Sequence, residues 1–300
     1  MIQTNEICKS FGKVQAVNKV SLEIRDGEVF GLVGTNGAGK STLLRMLCGI
    51  LKPDSGSIRI QDQPVYENVD IKRSIFYISD EMYFFANSTP KEMEHYYRMF
   101  YPNYKSRWFF EMLGKFGLEK ERKINTFSKG MKKQLSFLLG LASRAEYLLC
   151  DETFDGLDPV MRQTVKSLFA EEMLDRKFTP VIASHNLREL EDVCDHVGLL
   201  HRGGVLLSRD LEDMKFHIHK VQCVFSDKAK EDRILKELQV LRCDRQGSLM
   251  MITVRGTRTE ILERIKRQDP LFCEIIPLTL EEIFISETEV AGYEIKNLIC

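Results

Sequence analysis

Short apolar runs alternate with turn-forming residues over the first sixty positions. Ile2–Lys9 and Val20–Ile24 predict two strands, and Asp26-Gly27 predicts the turn that follows them. Val29–Val33 is apolar throughout, which is typical of a strand buried on both faces of a parallel sheet. Ser57–Gln61 predicts another strand after a Ser-Gly turn. The chain therefore begins as β structure rather than as a helical bundle.

The pattern changes to helical periodicity between residues 86 and 145. Thr89 is a candidate N-cap, with Pro90 at the first helical position and Glu92 completing a capping box. Glu92–Tyr101 is rich in methionine and aromatic residues, and such spacing predicts core packing rather than a ligand site. We expect an inserted helical subdomain at about 86–145.

Strands return after this region and alternate again with helices. Leu148–Cys150 and Val181–Ala183 are buried-strand candidates, so residues 1–210 predict an α/β domain with a mostly parallel sheet. Beyond it, Val221–Phe225, Ser248–Val254 and Leu271–Ile276 predict strands separated by helices. We therefore expect a second, smaller α+β accessory domain at 211–300.

Composition narrows the function classes. Lys plus Arg (43) nearly equal Asp plus Glu (44), and no long basic run occurs, so we expect no nucleic-acid partner. The eight cysteines form no C-x-x-C pair, which favours reduced thiols over a zinc or redox site. No apolar segment is long enough to span a bilayer, so any membrane contact is expected through a partner.

One segment carries phosphate-binding chemistry. Residues 34–41 fit G-x-x-x-x-G-K-[ST], with Thr42 following, between a predicted strand and the predicted helix Ser41–Cys48. Glycines let consecutive backbone N–H groups surround phosphate oxygens, and the helix N-terminus attracts the same anion. The segment predicts a P-loop for a nucleoside triphosphate, in which the lysine contacts the β and γ phosphates and the serine holds Mg²⁺. Its residues are Gly34, Thr35, Asn36, Gly37, Ala38, Gly39, Lys40, Ser41 and Thr42.

Two carboxylates follow the apolar run that begins at Tyr147. Asp151 and Glu152 would lie at the carboxyl edge of the sheet, where ligands of parallel α/β sheets bind. We expect Asp151 to hold Mg²⁺ and Glu152 to polarise the attacking water. Alone, the pair could equally be two solvated carboxylates, but the upstream P-loop favours catalysis.

Together these motifs resemble the ABC-type ATP-binding subunits over roughly residues 1–210. Phe127-Ser128-Lys129-Gly130-Met131 stands where that family has Leu-Ser-Gly-Gly-Gln, matching at Ser128 and Gly130. Asp155-Gly156-Leu157-Asp158 resembles the D-loop Ser-Ala-Leu-Asp, matching at its last two positions. The resemblance implies that Ser128, Lys129, Gly130 and Asp158 contact ATP held by a partner subunit. Ser128 and Asp158 are also ordinary helix N-caps.

Three further residues acquire roles from the resemblance. His185 follows a predicted strand and matches the switch histidine that senses the γ-phosphate. Phe11 takes the place of the aromatic residue that stacks on adenine, where tyrosine is commoner. Asp80 stands at the position of a glutamine that reaches Mg²⁺ and water, with Glu81 as the alternative if the alignment shifts by one residue. Asp80 is therefore a further candidate metal ligand, but without an amide donor.

The resemblance implies a P-loop NTPase core with a small antiparallel β subdomain. It also implies a head-to-tail pair of ATP-binding subunits, identical or different, that hydrolyses ATP with Mg²⁺. Such a pair powers transport through an integral membrane permease, at the cytoplasmic face of the cell membrane. Export is expected from the single cassette with a C-terminal extension. The alternatives are a soluble ATP-driven machine and a weakly hydrolysing, regulatory subunit of a heterodimer.

Overall fold

The computed structural model describes residues 1–155 and 157–290, with the side chains of 215 and 286–290 left aside. Gly156 of the D-loop segment and Cys300 lie outside the described residues. The chain divides into two compact units, Met1–Ser208 and a second that begins at Arg209. Among the helices of the described part, none combines the length and the apolar character needed to cross a membrane.

A six-stranded sheet forms the centre of the first unit, in the order β10-β9-β3-β8-β7-β6. The four central pairings, from β9 across to β6, are parallel. Every residue of the central strands β3, β7 and β8 is buried, as expected where helices cover both faces. The strands are β3 (Phe30–Val33), β6 (Ile75–Ile78), β7 (Tyr147–Asp151), β8 (Thr179–Ser184), β9 (His196–His201) and β10 (Gly204–Asp210).

A second, antiparallel sheet packs its apolar side chains into the same core and has the order β2-β1-β4-β5. The long hairpin of β1 and β2 turns at Gly12 and Lys13. Its strands are β1 (Ile2–Phe11), β2 (Val14–Ile24), β4 (Ser55–Ile60) and β5 (Gln63–Pro64). In the first unit, the helices outside the inserted subdomain are α1 (Lys40–Leu47), α2 (Val69–Arg73), α6 (Pro159–Asp175) and α7 (Leu187–Glu191).

The inserted helical subdomain contains α3 (Pro90–Phe100), α4 (Ser106–Lys115) and α5 (Lys129–Ala142), with a short 3-10 helix at Ile124–Thr126. The capping box predicted at the start of α3 is confirmed: Thr89 and Glu92 exchange side-chain and backbone hydrogen bonds. The fold class is therefore confirmed in its P-loop core, its antiparallel β subdomain and its helical insertion.

The prediction that the Met-rich and aromatic stretch of α3 is core is wrong in part. Met93 is buried, but Met99 is 64% exposed and Phe100 is 52% exposed. The helix packs only one side on β6, where Phe76 and Tyr97 stand 5.0 Å apart between ring centroids. Aromatic residues on its other sides are therefore exposed at the surface. The spacing of apolar residues alone does not show whether such a side is buried or exposed.

The second unit contains a four-stranded antiparallel sheet in the order β12-β13-β11-β14. The chain order β-α-β-β-α-β with this sheet order is the ferredoxin-like topology. Strand β12 was not predicted, because its residues are mostly exposed and polar and lack apolar alternation. The elements are α8 (Leu211–His217), β11 (Ile218–Val224), α9 (Lys228–Glu237), β12 (Gln239–Gln246), β13 (Leu249–Arg255), α10 (Arg258–Arg267), β14 (Phe272–Ile276) and α11 (Leu280–Val290).

Candidate nucleotide-binding and hydrolysis site

The glycine-rich loop joins β3 directly to α1, as the motif predicts. Gly39 is the residue before the helix and has φ of 102°, a left-handed conformation that favours glycine. A Cβ atom at Gly39 would also lie 2.3 Å from the carbonyl oxygen of Ala16. Both the backbone conformation and the close approach therefore require glycine. Helix α1 begins directly after this glycine, so its N-terminus lies at the loop.

The Lys40 side chain folds back over this loop. It is only 4% exposed, and its ammonium group donates to the carbonyl oxygens of Gly34 at 2.7 Å and Thr35 at 3.3 Å. The same nitrogen lies 3.1 Å from Glu152 Oε1. A buried, localised positive charge at a helix N-terminus beside exposed loop amides is a phosphate-binding arrangement.

Ser41 and Asp151 meet at the carboxyl end of β7. The Ser41 hydroxyl donates to Asp151 Oδ1 at 3.0 Å, and the Tyr77 hydroxyl donates to Asp151 Oδ2 at 3.0 Å. Burial raises the pKa of Asp151 above its usual value, while the hydrogen bonds from Ser41 and Tyr77 oppose that rise. A hydroxyl and a carboxylate are hard oxygen donors, so this pair fits Mg²⁺.

Glu152 directly follows β7 and adopts a left-handed conformation with φ of 50°, which is uncommon for a residue with a Cβ atom. Its backbone N–H donates to the carbonyl oxygen of Ala183 at 2.9 Å, which anchors this strained residue. Its side chain connects two functional groups, because Oε1 contacts Lys40 and Oε2 lies 2.8 Å from His185 Nδ1.

A network of polar groups surrounds Glu152 and the loop that follows it. Asp155 Oδ2 lies 2.9 Å from His185 Nδ1, and Asp155 Oδ1 accepts a hydrogen bond from the Ser184 hydroxyl at 2.9 Å. The Lys133 ammonium donates to the backbone carbonyls of Glu152 and Asp155. Burial raises the pKa of Asp155, and the neighbouring Glu189 raises it further. Burial lowers the pKa of Lys133.

The remaining predicted residues lie at several places on the first unit. Phe11 ends β1 and is 49% exposed, with the Lys9 ammonium 5.8 Å from its ring centroid. Ser128 caps α5 through a hydrogen bond from Met131 N at 3.2 Å, and Lys129 and Gly130 follow it on the exposed first turn. Asp158 likewise caps α6, accepting from Met161 N at 2.9 Å.

Asp80 lies two positions beyond the last residue of β6 and is exposed. Its charge acts on Lys133, whose pKa it raises against the effect of burial. Among the described residues, no hydrogen bond links Asp80 to Ser41 or Asp151. The structure therefore groups Lys40, Ser41, Asp151, Glu152 and His185, with Asp80 outside that group.

Sequence reasoning missed the contributions of Tyr77, Lys133 and Asp155 to this site. Asp155 was noted only as a position that departs from the D-loop pattern. Lys133 lies inside an amphipathic helix, where a lysine usually faces solvent, yet it is 3% exposed. No local signal identifies it, since its acceptors come from a loop that follows a different strand.

The comparisons with known proteins agree with this geometry. Residues 17–155 match the family described as ABC transporter. The bacitracin transport ATP-binding protein BcrA of Bacillus licheniformis is 34% identical over 218 residues, covering 72% of this chain and 71% of that protein. The ABC transporter ATP-binding protein YtrB of Bacillus subtilis is 29% identical over 287 residues, covering 96% of this chain and 98% of that protein.

Solved structures show the same fold. An ATP-binding subunit of an ABC transporter superposes with a TM-score of 0.66 at 24% identity, covering 72% of this chain and 92% of that one. A dimeric ATP-binding cassette bound to ADP and phosphate superposes with a TM-score of 0.64 at 22% identity, covering 70% of this chain and 99% of that one.

The parallel sheet, the P-loop and the adjacent carboxylates define a P-loop nucleoside triphosphatase. The chain belongs to the ABC transporter family of ATP-binding proteins. Its family activity is ATP hydrolysis, so the predicted family and enzyme class are confirmed.

Proposed function

We propose that this chain is the motor subunit of a membrane transporter and hydrolyses ATP between two subunits arranged head to tail. The main support is the contact chain Lys40–Glu152–His185, which places a phosphate-binding cation, a carboxylate and an imidazole side by side. Phosphoryl transfer is accelerated mainly by positioning and by charge stabilisation, and these groups can supply both.

In this mechanism the loop amides of residues 34–42 and the Lys40 ammonium hold the β and γ phosphates. Ser41 and Asp151 would hold Mg²⁺, which supplies charge neutralisation to the phosphates when bound. Glu152 orients the attacking water and accepts its hydrogen, while His185 donates a hydrogen bond to the γ-phosphate. Ser128, Lys129, Gly130 and Asp158 would contact the nucleotide held by the other subunit, and Phe11 would stack on adenine.

A surface groove beside α3 suits a membrane-spanning partner at the cytoplasmic face of the membrane. The groove holds about 250 Å³ and is lined by Tyr83, Phe85 and Tyr96 together with the Ser79 region that follows β6. Tyr83 is 75% exposed, and the Phe85 and Tyr96 rings stand 4.8 Å apart. We propose that an amphipathic helix of the permease inserts its apolar side here, since exposed aromatic clusters mark interaction sites.

Export is the direction we propose. Relatives at 33% and 31% identity are named as a linearmycin resistance protein of Bacillus subtilis and a lantibiotic transport protein of Streptococcus pyogenes. A relative at 29% identity is instead named for methionine import, so direction requires its own test. Deleting the gene should increase sensitivity to bacitracin and to lantibiotics, and unchanged sensitivity to both would contradict export of such peptides.

The central experiment measures Mg²⁺-dependent ATP hydrolysis and copurification from solubilised membranes. We expect turnover by the wild-type chain and copurification with an integral membrane protein encoded beside it. Tyr83→Asp should abolish that copurification, whereas Leu174→Asp should retain it, because Leu174 is also an exposed apolar residue, on α6, but lies outside the groove. A chain that does not hydrolyse ATP, or that retains its membrane partner in Tyr83→Asp, contradicts the corresponding part of the proposal.

A further inference from the structure

The His185 ring contacts two carboxylates through the same nitrogen. Nδ1 lies 2.8 Å from Glu152 Oε2 and 2.9 Å from Asp155 Oδ2. Both carboxylates are acceptors, so Nδ1 carries a hydrogen and donates it to them. The ring is 48% exposed, which leaves Nε2 as the nitrogen that can meet a ligand.

The two carboxylates are anchored differently. The other oxygen of Glu152 is paired with Lys40, a group that a bound phosphate would attract to itself. The other oxygen of Asp155 accepts a hydrogen bond from Ser184, the residue next to His185 in β8. The Asp155 carboxylate is therefore anchored to the same strand end as the imidazole, independently of the phosphate-binding lysine.

The backbone of Asp155 is also held in place. Its carbonyl oxygen accepts a hydrogen bond from Lys133, which is 3% exposed and extends from α5. Lys133 donates to the carbonyl oxygen of Glu152 as well, at 3.2 Å. A single buried cation thus holds the backbone of the loop between the two carboxylates.

We infer that Asp155 is a positioning residue, which holds the Nδ1–H of His185 while Glu152 orients the attacking water. This inference rests on the proposed function. It assigns a role to the aspartate that stands where related D-loops have serine. An imidazole held through Nδ1 cannot rotate away, and when doubly protonated it presents Nε2–H to the γ-phosphate.

Asp155→Ala and Asp155→Asn test this role by steady-state kinetics. Asp155→Ala removes both accepted hydrogen bonds, so kcat should fall roughly 10-fold or more, as for other groups that orient a functional imidazole. KM for ATP should stay within about two-fold, because Asp155 is not expected to touch the nucleotide. Asp155→Asn can still accept from Nδ1–H and should recover most of the lost kcat.

The ring nitrogen signals of His185 give a readout that does not depend on turnover. In ¹⁵N spectra, with the signal identified by its loss in His185→Gln, wild-type Nδ1 should carry the hydrogen. In Asp155→Ala the Nε2–H tautomer should gain population. Asp195→Ala is the control, since Asp195 is likewise an aspartate that accepts a hydrogen bond, but from Val29 N at 2.8 Å.

The outcomes separate this inference from the proposed function. A wild-type chain without ATPase activity contradicts the proposed function, while its ¹⁵N spectra still decide whether Asp155 holds His185. An Asp155→Ala variant with kcat within about two-fold of wild type overturns the inference, because the removal of a required positioning group lowers kcat. An unchanged His185 spectrum, or an equal loss of kcat in Asp195→Ala, overturns it as well.

Discussion

The Lys40 ammonium lies 3.1 Å from Glu152 Oε1, although Lys40 begins a helix and Glu152 follows a strand on the far side of the helical insertion. The first residue of α1 and the first residue after β7 meet because β3 and β7 flank β8 in one parallel sheet. Carboxyl ends of parallel strands share one edge, so this contact joins the phosphate-binding loop to the candidate base.

We expect Glu152→Gln to retain ATP binding, to stop steady-state hydrolysis and to accumulate as an ATP-bound dimer. Glutamine keeps the shape but does not act as a base, and loss of a general base typically costs about 10²- to 10⁴-fold in rate. Turnover assays, nucleotide binding and size-exclusion chromatography with ATP measure the three properties. Glu146→Gln is the control, because Glu146 precedes β7 at its opposite end and contacts Gln61. Rapid turnover by Glu152→Gln would remove Glu152 from the mechanism.

Lys40→Ala should lose nucleotide affinity. The buried ammonium donates to the loop carbonyl of Gly34, and a charge-assisted hydrogen bond contributes about 1.5–3 kcal/mol, or roughly 10- to 150-fold in Kd. Titration with a fluorescent ATP analogue measures this loss. Lys236→Ala, which removes an exposed lysine of the second unit, should bind as wild type does. Unchanged affinity in Lys40→Ala would exclude a phosphate role for this lysine.

Tyr77→Phe should raise the Mg²⁺ concentration required for half-maximal ATPase activity. The Tyr77 hydroxyl orients Asp151 through a 3.0 Å hydrogen bond, and loss of such a supporting bond typically weakens metal affinity about 10- to 100-fold. Saturating Mg²⁺ should restore most of kcat. Tyr104→Phe provides a control at a buried hydroxyl that is not hydrogen-bonded to Asp151. An identical Mg²⁺ dependence in Tyr77→Phe and wild type would show that Asp151 needs no such support.

Asp155→Asn should be at least as stable as the wild-type chain near neutral pH, even though its activity is lower. The pKa of Asp155 is raised in the fold by burial, with Glu189 on α7 contributing. The folded state therefore disfavours the ionised carboxylate. The destabilisation is fully present above the folded pKa and is relieved as the pH falls towards the unfolded value of about 3.9.

The melting temperature measured at several pH values checks this prediction. Any advantage of Asp155→Asn should shrink as the pH is lowered, because the wild-type carboxyl then takes up its proton. The charged and titratable neighbours of Asp155 are Glu152, Glu189, His185 and Lys133. These residues are the same in the wild-type chain and in the variant. A variant that melts well below wild type at every pH would indicate that Asp155 is chiefly structural.

Local order in the chain was predictable wherever neighbouring residues decide the conformation. The capping box of α3 and the strand–loop–helix order around Gly39 were both predicted and found. Helix caps and left-handed glycines depend on atoms within a few residues, so short patterns carry them. The exposure of Met99 and Phe100 was not predicted, because it depends on which neighbours cover α3.

The sequence by itself determined that this protein has a P-loop before a helix, and a pair of carboxylates after an apolar strand. Only the tertiary structure decided that Asp155, His185 and the buried Lys133 meet around Glu152. These groups come from α5 and from the ends of β7 and β8, and strand order and register bring them together. Sheet pairing is a long-range interaction, whereas motif spacing records only short-range geometry.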